Sequence, residues 1–343
     1  MSGGDFVVTQ LDVVDLTRQL IRIPSVTGAE AEVVTAVAEL LADLGWSVQR
    51  QPVQGDRANL YATRGQPVVV LSTHLDTVPP FLPVYEADGV LHGRGSCDAK
   101  GLAAAMIVAA EALAAEGEDR VGLLFVVGEE NGSDGALAAA ALEPKGRILI
   151  NGEPTGNRLA TAQKGALRVT VEARGVAAHS GYPELGRSAI DLLLDALERI
   201  RAIDWPADPQ LGPSTLNIGR IVGGEAPNVI APSARAELMV RLVGPAAPIR
   251  AAIVAAAGPE VEVGFPLEVP ALRSPSLPGW DEITVAFASD LPLLAAWGTG
   301  YQLGPGTIHV AHTDHEQIPI AELRDGVTRY VALTRALLAE AAR

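Results

Sequence analysis

The order of predicted helices and strands is the feature of this sequence that most constrains its fold. In the first half, helices and strands alternate, and the strand Val68–Ser72 is continuously apolar, as in sheets covered by helices on both faces. From Gly165 to Phe265 the order becomes β-α-β-β-α-β, the ferredoxin-like arrangement. The stretch 266–278, rich in proline and serine, predicts a linker, after which a helix, a strand and a closing helix near Val327–Ala342 return to the first pattern.

This order predicts an α/β fold in which one domain interrupts another. We expect a mostly parallel, helix-covered sheet with an inserted ferredoxin-like domain. The predicted boundaries assign residues 1–163 and 272–343 to the discontinuous sheet domain and residues 164–271 to the insertion. The length of 343 residues agrees with two domains, because single cores rarely grow beyond about 250–300 residues.

Composition and charge argue against several classes of protein. The chain has 26 basic and 41 acidic residues, and its net charge of −15 disfavours binding to nucleic acid or to an anionic membrane. The longest apolar run, Leu102–Ala110, is about half of the roughly 18 residues that a membrane span needs. The only cysteine, Cys97, cannot form an internal disulfide, and Met1–Asp5 lacks the basic segment of a secretory signal. The sequence therefore predicts a cytoplasmic protein.

Acidic and histidine side chains follow several predicted core strands at the point where each strand ends. Ligands of open α/β sheets collect at this edge, so we expect these side chains to converge. Nitrogen and oxygen donors without sulfur suit Zn²⁺, with Co²⁺ or Mn²⁺ as substitutes, and two ions would share one carboxylate, for which Asp98 is the candidate. The candidates are His74 and Asp76 after Val68–Ser72, Glu129 and Glu130 after Gly122–Val127, Glu153 after Arg147–Ile150, Asp98 in the loop Gly93–Gly101, and His312 after Gly304-Pro-Gly306.

Local spacing suggests how two pairs of these residues divide their tasks. His74 and Asp76 are two residues apart on an extended segment, so both side chains project to one face. Asp76 can then either bind a metal or hold the imidazole in the required tautomer. Glu129 and Glu130 are adjacent and would point opposite ways in a flat strand, which lets one bind a metal while the other faces a water molecule.

The remaining histidines and the cysteine are less informative. His309, His312 and His315 are spaced by three, and the spacing does not say which one is a ligand. His92 is expected to pack or to lie on the surface. Cys97 has no independent base assigned to it, and we expect its small side chain to fill space.

In combination, these motifs resemble the M20 family of metallopeptidases and amidohydrolases, whose members include acetylornithine deacetylase, succinyl-diaminopimelate desuccinylase, aminoacylase and several dipeptidases. The resemblance covers nearly the whole chain and rests on His74-Leu-Asp76, Gly93-Arg-Gly-Ser-Cys-Asp-Ala-Lys-Gly101, Gly128-Glu-Glu130, Glu153-Pro-Thr155, and Gly304-Pro-Gly306 followed by Ala311-His312. It implies two zinc ions, one held by His74, Asp98 and Glu153 and the other by Asp98, Glu130 and His312.

The same resemblance implies roles around the metals. Asp76 would orient His74, and Glu129 would be the general base and acid. A non-proline cis peptide bond is expected after Asp98. The discontinuous domain would then be the metal-binding catalytic domain.

The resemblance also gives the inserted domain a function as a lid and dimerisation domain. His179 would stabilise the oxyanion, commonly in the site of a partner subunit, which implies a homodimer through this domain. The substrate-binding positions that the resemblance implies are Asn228, Arg241, and the backbone amides of Gly304 and Gly306.

The sequence leaves the substrate open within this family. The first expectation is zinc-dependent deacylation of an N-acyl amino acid, of the deacetylase or desuccinylase type found in arginine or lysine biosynthesis. The alternative is a dipeptidase or other exopeptidase with the same metals. A catalytically idle metal-binding dimer is a third hypothesis, which a complete set of ligand residues disfavours.

Overall fold

The computed structural model describes residues 11–342 and divides into two compact units. The first unit contains Met1–Thr161, Ser274–Ile283 and Asp290–Arg343, and the second contains Ala162–Arg273 and Thr284–Ser289. The predicted insertion, 164–271, starts two residues after the main segment of the second unit and ends two residues before that segment does. Met1–Asp5, on which the expectation about a secretory signal depends, lies outside the described residues.

Seven α-helices and eighteen strands occur in the described part of the chain. The helices are α1 (Val13–Ile21), α2 (Ala31–Asp43), α3 (Lys100–Ala115), α4 (Asp134–Ala139), α5 (Ala189–Arg201), α6 (Ala246–Ala257) and α7 (Ile320–Ala341). The strands are β1 (Ser47–Gln54), β2 (Arg57–Thr63), β3 (Val69–His74), β4 (Tyr85–Ala87), β5 (Val90–His92), β6 (Val121–Val126), β7 (Ile148–Asn151), β8 (Leu159–Gln163), β9 (Gly165–Arg174), β10 (Ala207–Asp208), β11 (Gly212–Pro213), β12 (Thr215–Gly223), β13 (Ser233–Leu242), β14 (Val261–Val269), β15 (Leu272–Arg273), β16 (Glu282–Val285), β17 (Thr299–Gln302) and β18 (Gln317–Pro319).

The central sheet of the first unit has the order β1-β2-β6-β3-β7-β17-β8. Its middle is parallel, since β3 pairs in parallel with β6 and β7, and β17 pairs in parallel with β7. The pairs β1–β2, β2–β6 and β17–β8 are antiparallel, so the sheet as a whole is mixed. The predicted α/β class is confirmed, and the parallel pairs are confined to the buried centre, where strands are covered on both faces.

Helix α3 is the most deeply buried helix element next to this sheet. Its sequence is rich in alanine and apolar on all sides, which is the pattern of a helix enclosed by protein. The small side chains let it contact α1, α7 and β3 together. Gly117, with φ of +87°, follows the helix in the left-handed conformation that commonly ends helices.

The second unit is a four-stranded antiparallel sheet in the order β12-β13-β9-β14, with α5 and α6 packed against it. Alternate residues of β9 and β13, such as Leu167, Val169, Leu238 and Val240, are buried in its core. The observed order of its main elements is the predicted β-α-β-β-α-β.

Two local predictions are wrong. Pro266 lies inside β14. The strand tolerates it because the pairing register shifts between Gly264 and Leu267, and a bulge can hold a residue that has no N–H to donate. The predicted linker is therefore partly strand. The helix expected after it is only the single 3-10 turn Ala295–Trp297, whose segment is too short to form a stable α-helix.

None of the helices in the described range 11–342 is both long and apolar enough to cross a membrane.

The burial of the central parallel strand β3 suggests a test of how much its side chains contribute to the free energy of unfolding. Leu71 lies in β3 and has no exposed surface, whereas the side chain of Leu137 on α4 is 57% exposed. We expect Leu71→Ala to lower the free energy of unfolding by about 3 kcal/mol through lost burial and a cavity. Leu137→Ala should change it by less than about 0.5 kcal/mol. Denaturant unfolding curves of both variants check this, and equal effects would contradict the central position of β3.

Candidate metal centre

Parallel strand ends bring the sequence-predicted side chains to one edge of the sheet. His74 is the last residue of β3, and Glu129 and Glu153 follow β6 and β7 by three and two residues. Because β6, β3 and β7 are parallel neighbours, their carboxyl ends meet at the same edge. His74 and Glu153 are buried, and Glu129 is partly buried.

Asp98 lies between two imidazoles. Its Oδ1 atom is 3.0 Å from His74 Nε2, and its Oδ2 atom is 3.3 Å from His312 Nε2. The same His312 nitrogen is 2.9 Å from Glu130 Oε2. Single donor atoms of His74, Asp98 and Glu130 all lie within 4.8 Å of one another, so one small cation can contact all three. Four of the five predicted metal ligands therefore form one cluster, in which Asp98 contacts both histidines and His312 also contacts Glu130.

Asp76 lies beside this cluster and forms hydrogen bonds with the turn that carries Glu129 and Glu130. Its carboxylate accepts hydrogen bonds from the backbone N–H groups of Glu129 and Glu130, both at 3.1 Å, and from the hydroxyl of Thr27 at 2.7 Å. Its Oδ1 atom is also 3.4 Å from His74 Nδ1. The hydrogen bond of His74 Nδ1 is instead with the backbone carbonyl oxygen of Asp76, at 3.0 Å, so Asp76 contacts both the imidazole and the glutamate turn.

The two adjacent glutamates lie in the 3-10 turn Glu129–Asn131 rather than in a strand. The turn begins after Gly128, whose φ is +80° and where a Cβ atom would lie 2.1 Å from Asp134 Oδ1. Asp134 in turn accepts a hydrogen bond from the Arg57 guanidinium at 2.6 Å. The expected flat strand is therefore wrong, since the two glutamates lie in a 3-10 turn that follows a glycine in the left-handed conformation.

Burial and mutual repulsion dominate the electrostatics of the cluster. Burial raises the pKa of Glu129, Glu130 and Glu153, and neighbouring carboxylates raise each pKa further. Burial also opposes ionisation of Asp98, but its hydrogen bonds with His312 and His74 hold its pKa below the usual range. Hydrogen bonds to Asp98 and Glu130 raise the pKa of His312 to about 10. Negative charge is thus in excess at this edge of the sheet.

The residues present fit divalent cations. The donor set contains imidazole nitrogens and carboxylate oxygens without sulfur, which suits zinc and its usual substitutes. The Oε1 atom of Glu130 is buried and makes no hydrogen bond in the described structure, so one strong acceptor is left for a cation. The peptide bond between Asp98 and Ala99 is cis, as expected.

Asp290 is an acidic residue that sequence reasoning did not assign to the site. It is 2% exposed, and electrostatic interactions link it to Glu129, Glu153 and His74. Burial is the main cause that raises the pKa of Asp290 to about 7. In the sequence, Asp290 is a lone acid at the end of Ala288-Ser-Asp290 in an otherwise apolar stretch, which does not by itself identify a site residue.

Glu316 is a second residue that sequence reasoning did not assign to the site. It is 1% exposed, and its Oε1 atom accepts a hydrogen bond from the backbone N–H of Asp98 at 3.1 Å. Its place four residues after His312 was visible in the sequence, but no pattern linked it to the loop that carries Asp98.

Three predicted residues lie in the second unit. The segments of His179 and Asn228 are adjacent, since the Ser180 N–H donates to the Asn228 carbonyl at 3.0 Å. Both of these side chains are exposed, and His179 Nδ1 accepts from the Gly181 N–H at 3.0 Å. Arg241 lies in β13, where it pairs with Thr215 of β12. Their functional roles stay predictions.

The predicted substrate-binding amides are used inside the fold. The Gly304 N–H donates to Thr155 Oγ1 at 3.1 Å, and the Gly306 N–H donates to Glu322 Oε1 at 2.9 Å. A substrate would have to replace these partners in order to bind here. A Cβ atom on Gly306 would lie 2.8 Å from Cys97 Cβ, which agrees with a space-filling role for the cysteine.

Comparison with known proteins agrees with this geometry. The model of peptidase family M20/M25/M40 matches residues 70–336. The chain belongs to this family. It is 38% identical over 333 residues to a peptidase M20 domain-containing protein of Schizosaccharomyces pombe, an alignment that covers 93% of this chain and 83% of that protein. It is 36% identical over 388 residues to a probable carboxypeptidase of Aspergillus terreus, covering 98% and 89% of the two chains.

Solved M20 structures share the fold. A tripeptidase from Staphylococcus aureus superposes with a TM-score of 0.77 at 20% identity, covering 96% of this chain and 99% of that one. A Bacillus subtilis protein described as a dinuclear metal-binding peptidase of the M20 family gives 0.66 at 14% identity, covering 95% and 97%. The predicted family and the predicted class, a hydrolase, are confirmed.

Asp290 makes the stability of the metal-free protein depend on pH. Because its pKa in the folded state, about 7, lies above the 3.8 of an ordinary Asp, the folded protein holds a proton that the unfolded chain has already lost. Its contribution to stability is therefore present at low pH and is lost as the pH rises through about 7. The charged groups that face it are Glu129, Glu153, His74, Asp76 and Asp134.

We therefore expect the stability advantage of Asp290→Asn over the wild type to grow by about 3 kcal/mol between pH 5 and pH 8, because the folded wild type loses its proton in this range. Denaturant unfolding in the presence of a chelator measures this. A constant difference between the two proteins at both pH values would contradict the assignment.

Proposed function

We propose that this M20 hydrolase is a two-metal exopeptidase of the carboxypeptidase type that acts on short peptides. The observation that carries the proposal is the convergence of His74, Asp98, Glu130 and His312 at one sheet edge, with excess negative charge around them. The names of the relatives, a probable carboxypeptidase and a tripeptidase among them, support the exopeptidase alternative better than the deacylase that the sequence first suggested.

Within this proposal, Asp98 would be a ligand of both cations. His74 and Glu153 would complete the ligands of one ion, and Glu130 and His312 those of the other. When bound, two divalent cations would polarise the carbonyl of the scissile bond and lower the pKa of the attacking water. The identity of the metal, zinc with cobalt or manganese as substitutes, is part of the proposal.

Glu129 is the proposed general base and acid. Its backbone is fixed by the 3.1 Å hydrogen bond to Asp76, and burial together with Glu153 raises the pKa of its carboxyl group well above 4.5. A base works best when its pKa lies near the operating pH. Glu129 would take a proton from the attacking water and give it to the departing amine.

The second unit supplies the proposed substrate contacts. His179 would stabilise the oxyanion, and Asn228 and Arg241 would bind the substrate, with Arg241 suited to the free carboxylate of a peptide. Gly304 and Gly306 would contribute only after a change of hydrogen-bond partners. A homodimer through this unit and a cytoplasmic location complete the proposal.

The substrate class is tested on metal-reconstituted protein with matched compounds. We expect cleavage of N-blocked dipeptides that have a free C-terminal carboxylate and little cleavage of the same dipeptides as C-terminal amides. N-acetyl-ornithine and N-succinyl-diaminopimelate should react more slowly. Preferred hydrolysis of either acyl amino acid would overturn the exopeptidase assignment in favour of a deacylase.

The role of Glu129 is tested by Glu129→Gln. We expect kcat on the preferred peptide to fall by about 10²–10⁴, because proton transfer is lost. The metal content, measured by elemental analysis after dialysis, should stay at the wild-type value. Wild-type turnover in this variant would refute the role, and loss of metal would instead make Glu129 a ligand.

A further inference from the structure

Glu316 lies between a predicted metal ligand and the last strand of the first unit. It follows His312 by four residues and immediately precedes β18. The side chain is 1% exposed. An ionised carboxylate is costly to bury, so a protein retains one where several donors satisfy it.

The donors to Glu316 all come from one short loop. Its Oε1 atom accepts from the backbone N–H groups of Gly95 at 2.9 Å, Cys97 at 3.2 Å and Asp98 at 3.1 Å. Its Oε2 atom accepts from Arg94 Nη1 at 2.6 Å. One carboxylate therefore binds four donors from five consecutive residues, and the last of them is Asp98 itself. Successive N–H groups that converge on one oxygen form an anion cradle, here occupied by the chain's own carboxylate.

The backbone of Glu316 is fixed as well. The Gly93 N–H donates to the Glu316 carbonyl at 3.1 Å, and the next residue, Gln317, pairs with His92 of β5. Glu316 thus holds the start and the end of the Asp98 loop against the segment that carries His312. Asp98 and His312 are far apart in the sequence, and these hydrogen bonds hold the two segments that carry them next to each other.

We propose that Glu316 is a positioning residue. It fixes the backbone of Asp98 and thereby holds the Asp98 carboxylate where it can bind the two cations. This inference rests on the proposed metal centre. Glu316 forms its hydrogen bond with the backbone of Asp98, so it acts on the metal centre through Asp98. Residues behind a ligand hold it in place, and their loss typically weakens metal binding about 10–100-fold.

The test compares Glu316→Gln with Glu111→Gln. Glu111 lies on α3, whose first residue, Lys100, follows Asp98 by two, and its carboxylate accepts from Trp46 Nε1 at 2.5 Å and from Arg64 Nη2 at 2.7 Å. It is therefore a control glutamate away from the centre that also accepts two side-chain hydrogen bonds, with a side chain that is 22% exposed. Zn²⁺ binding is titrated into chelator-treated protein against a competing chromophoric chelator, below the unfolding midpoint of each variant. The rise of the melting temperature on adding Zn²⁺ is measured in parallel.

We expect Glu316→Gln to bind Zn²⁺ about 10–100-fold more weakly and to gain less in melting temperature from the metal than the wild type. Its kcat should fall while KM for the peptide changes less than about threefold, because the substrate contacts are intact. Glu111→Gln should match the wild type in all these measurements.

Wild-type metal affinity and wild-type kcat in Glu316→Gln would overturn the inference, even if its melting temperature fell, since that result describes a purely structural carboxylate. If Glu316→Gln does not fold, Glu316→Asp replaces it. That variant keeps the negative charge but shortens the side chain by one methylene, which withdraws the carboxylate from the N–H groups of Gly95, Cys97 and Asp98, and unchanged Zn²⁺ affinity in it would likewise overturn the inference. A wild-type protein that binds no divalent cation would overturn the metal centre itself, which is a different result.

Discussion

Repulsion among buried carboxylates is the constraint on which the site depends. Asp98, Glu129, Glu130, Glu153 and Asp290 crowd at one sheet edge, and the pKa of each except Asp98 is raised. Two imidazoles offset only part of this charge. Bound divalent cations would neutralise the carboxylates. Because their mutual repulsion opposes folding in the absence of metal, its relief on metal binding would add to the affinity for the cations. Belonging to the M20 peptidase family agrees with this interpretation.

The surrounding chain holds these charges in place through buried hydrogen bonds. Asp76 organises the glutamate turn and His74, and Arg57 forms hydrogen bonds with both Glu30 and Asp134 just behind that turn. Asp76, Glu30 and Asp134 thus accept hydrogen bonds from backbone or guanidinium donors beside the cluster. The result is a rigid support, which metal sites need because small shifts of a ligand weaken binding.

Much of this molecule could be predicted from local patterns. The continuous apolar strand β3, the alanine-rich helix α3 and the alternation in β9 and β13 follow directly from side-chain periodicity and burial. The antiparallel margins of the central sheet were missed, because the direction of a neighbouring strand depends on connections that a single sequence does not show.

The sequence by itself determined the chemistry of the centre. Its histidines and acids follow predicted strand ends, which was enough to name the candidate residues, and the family resemblance singled out His312 among three equally spaced histidines. Only the tertiary structure decided which groups face one another: that Asp98 lies between His74 and His312, and that Glu316 receives the Asp98 loop. The physical reason is that these contacts join segments far apart in the chain, whose approach depends on packing of the whole unit rather than on local propensity.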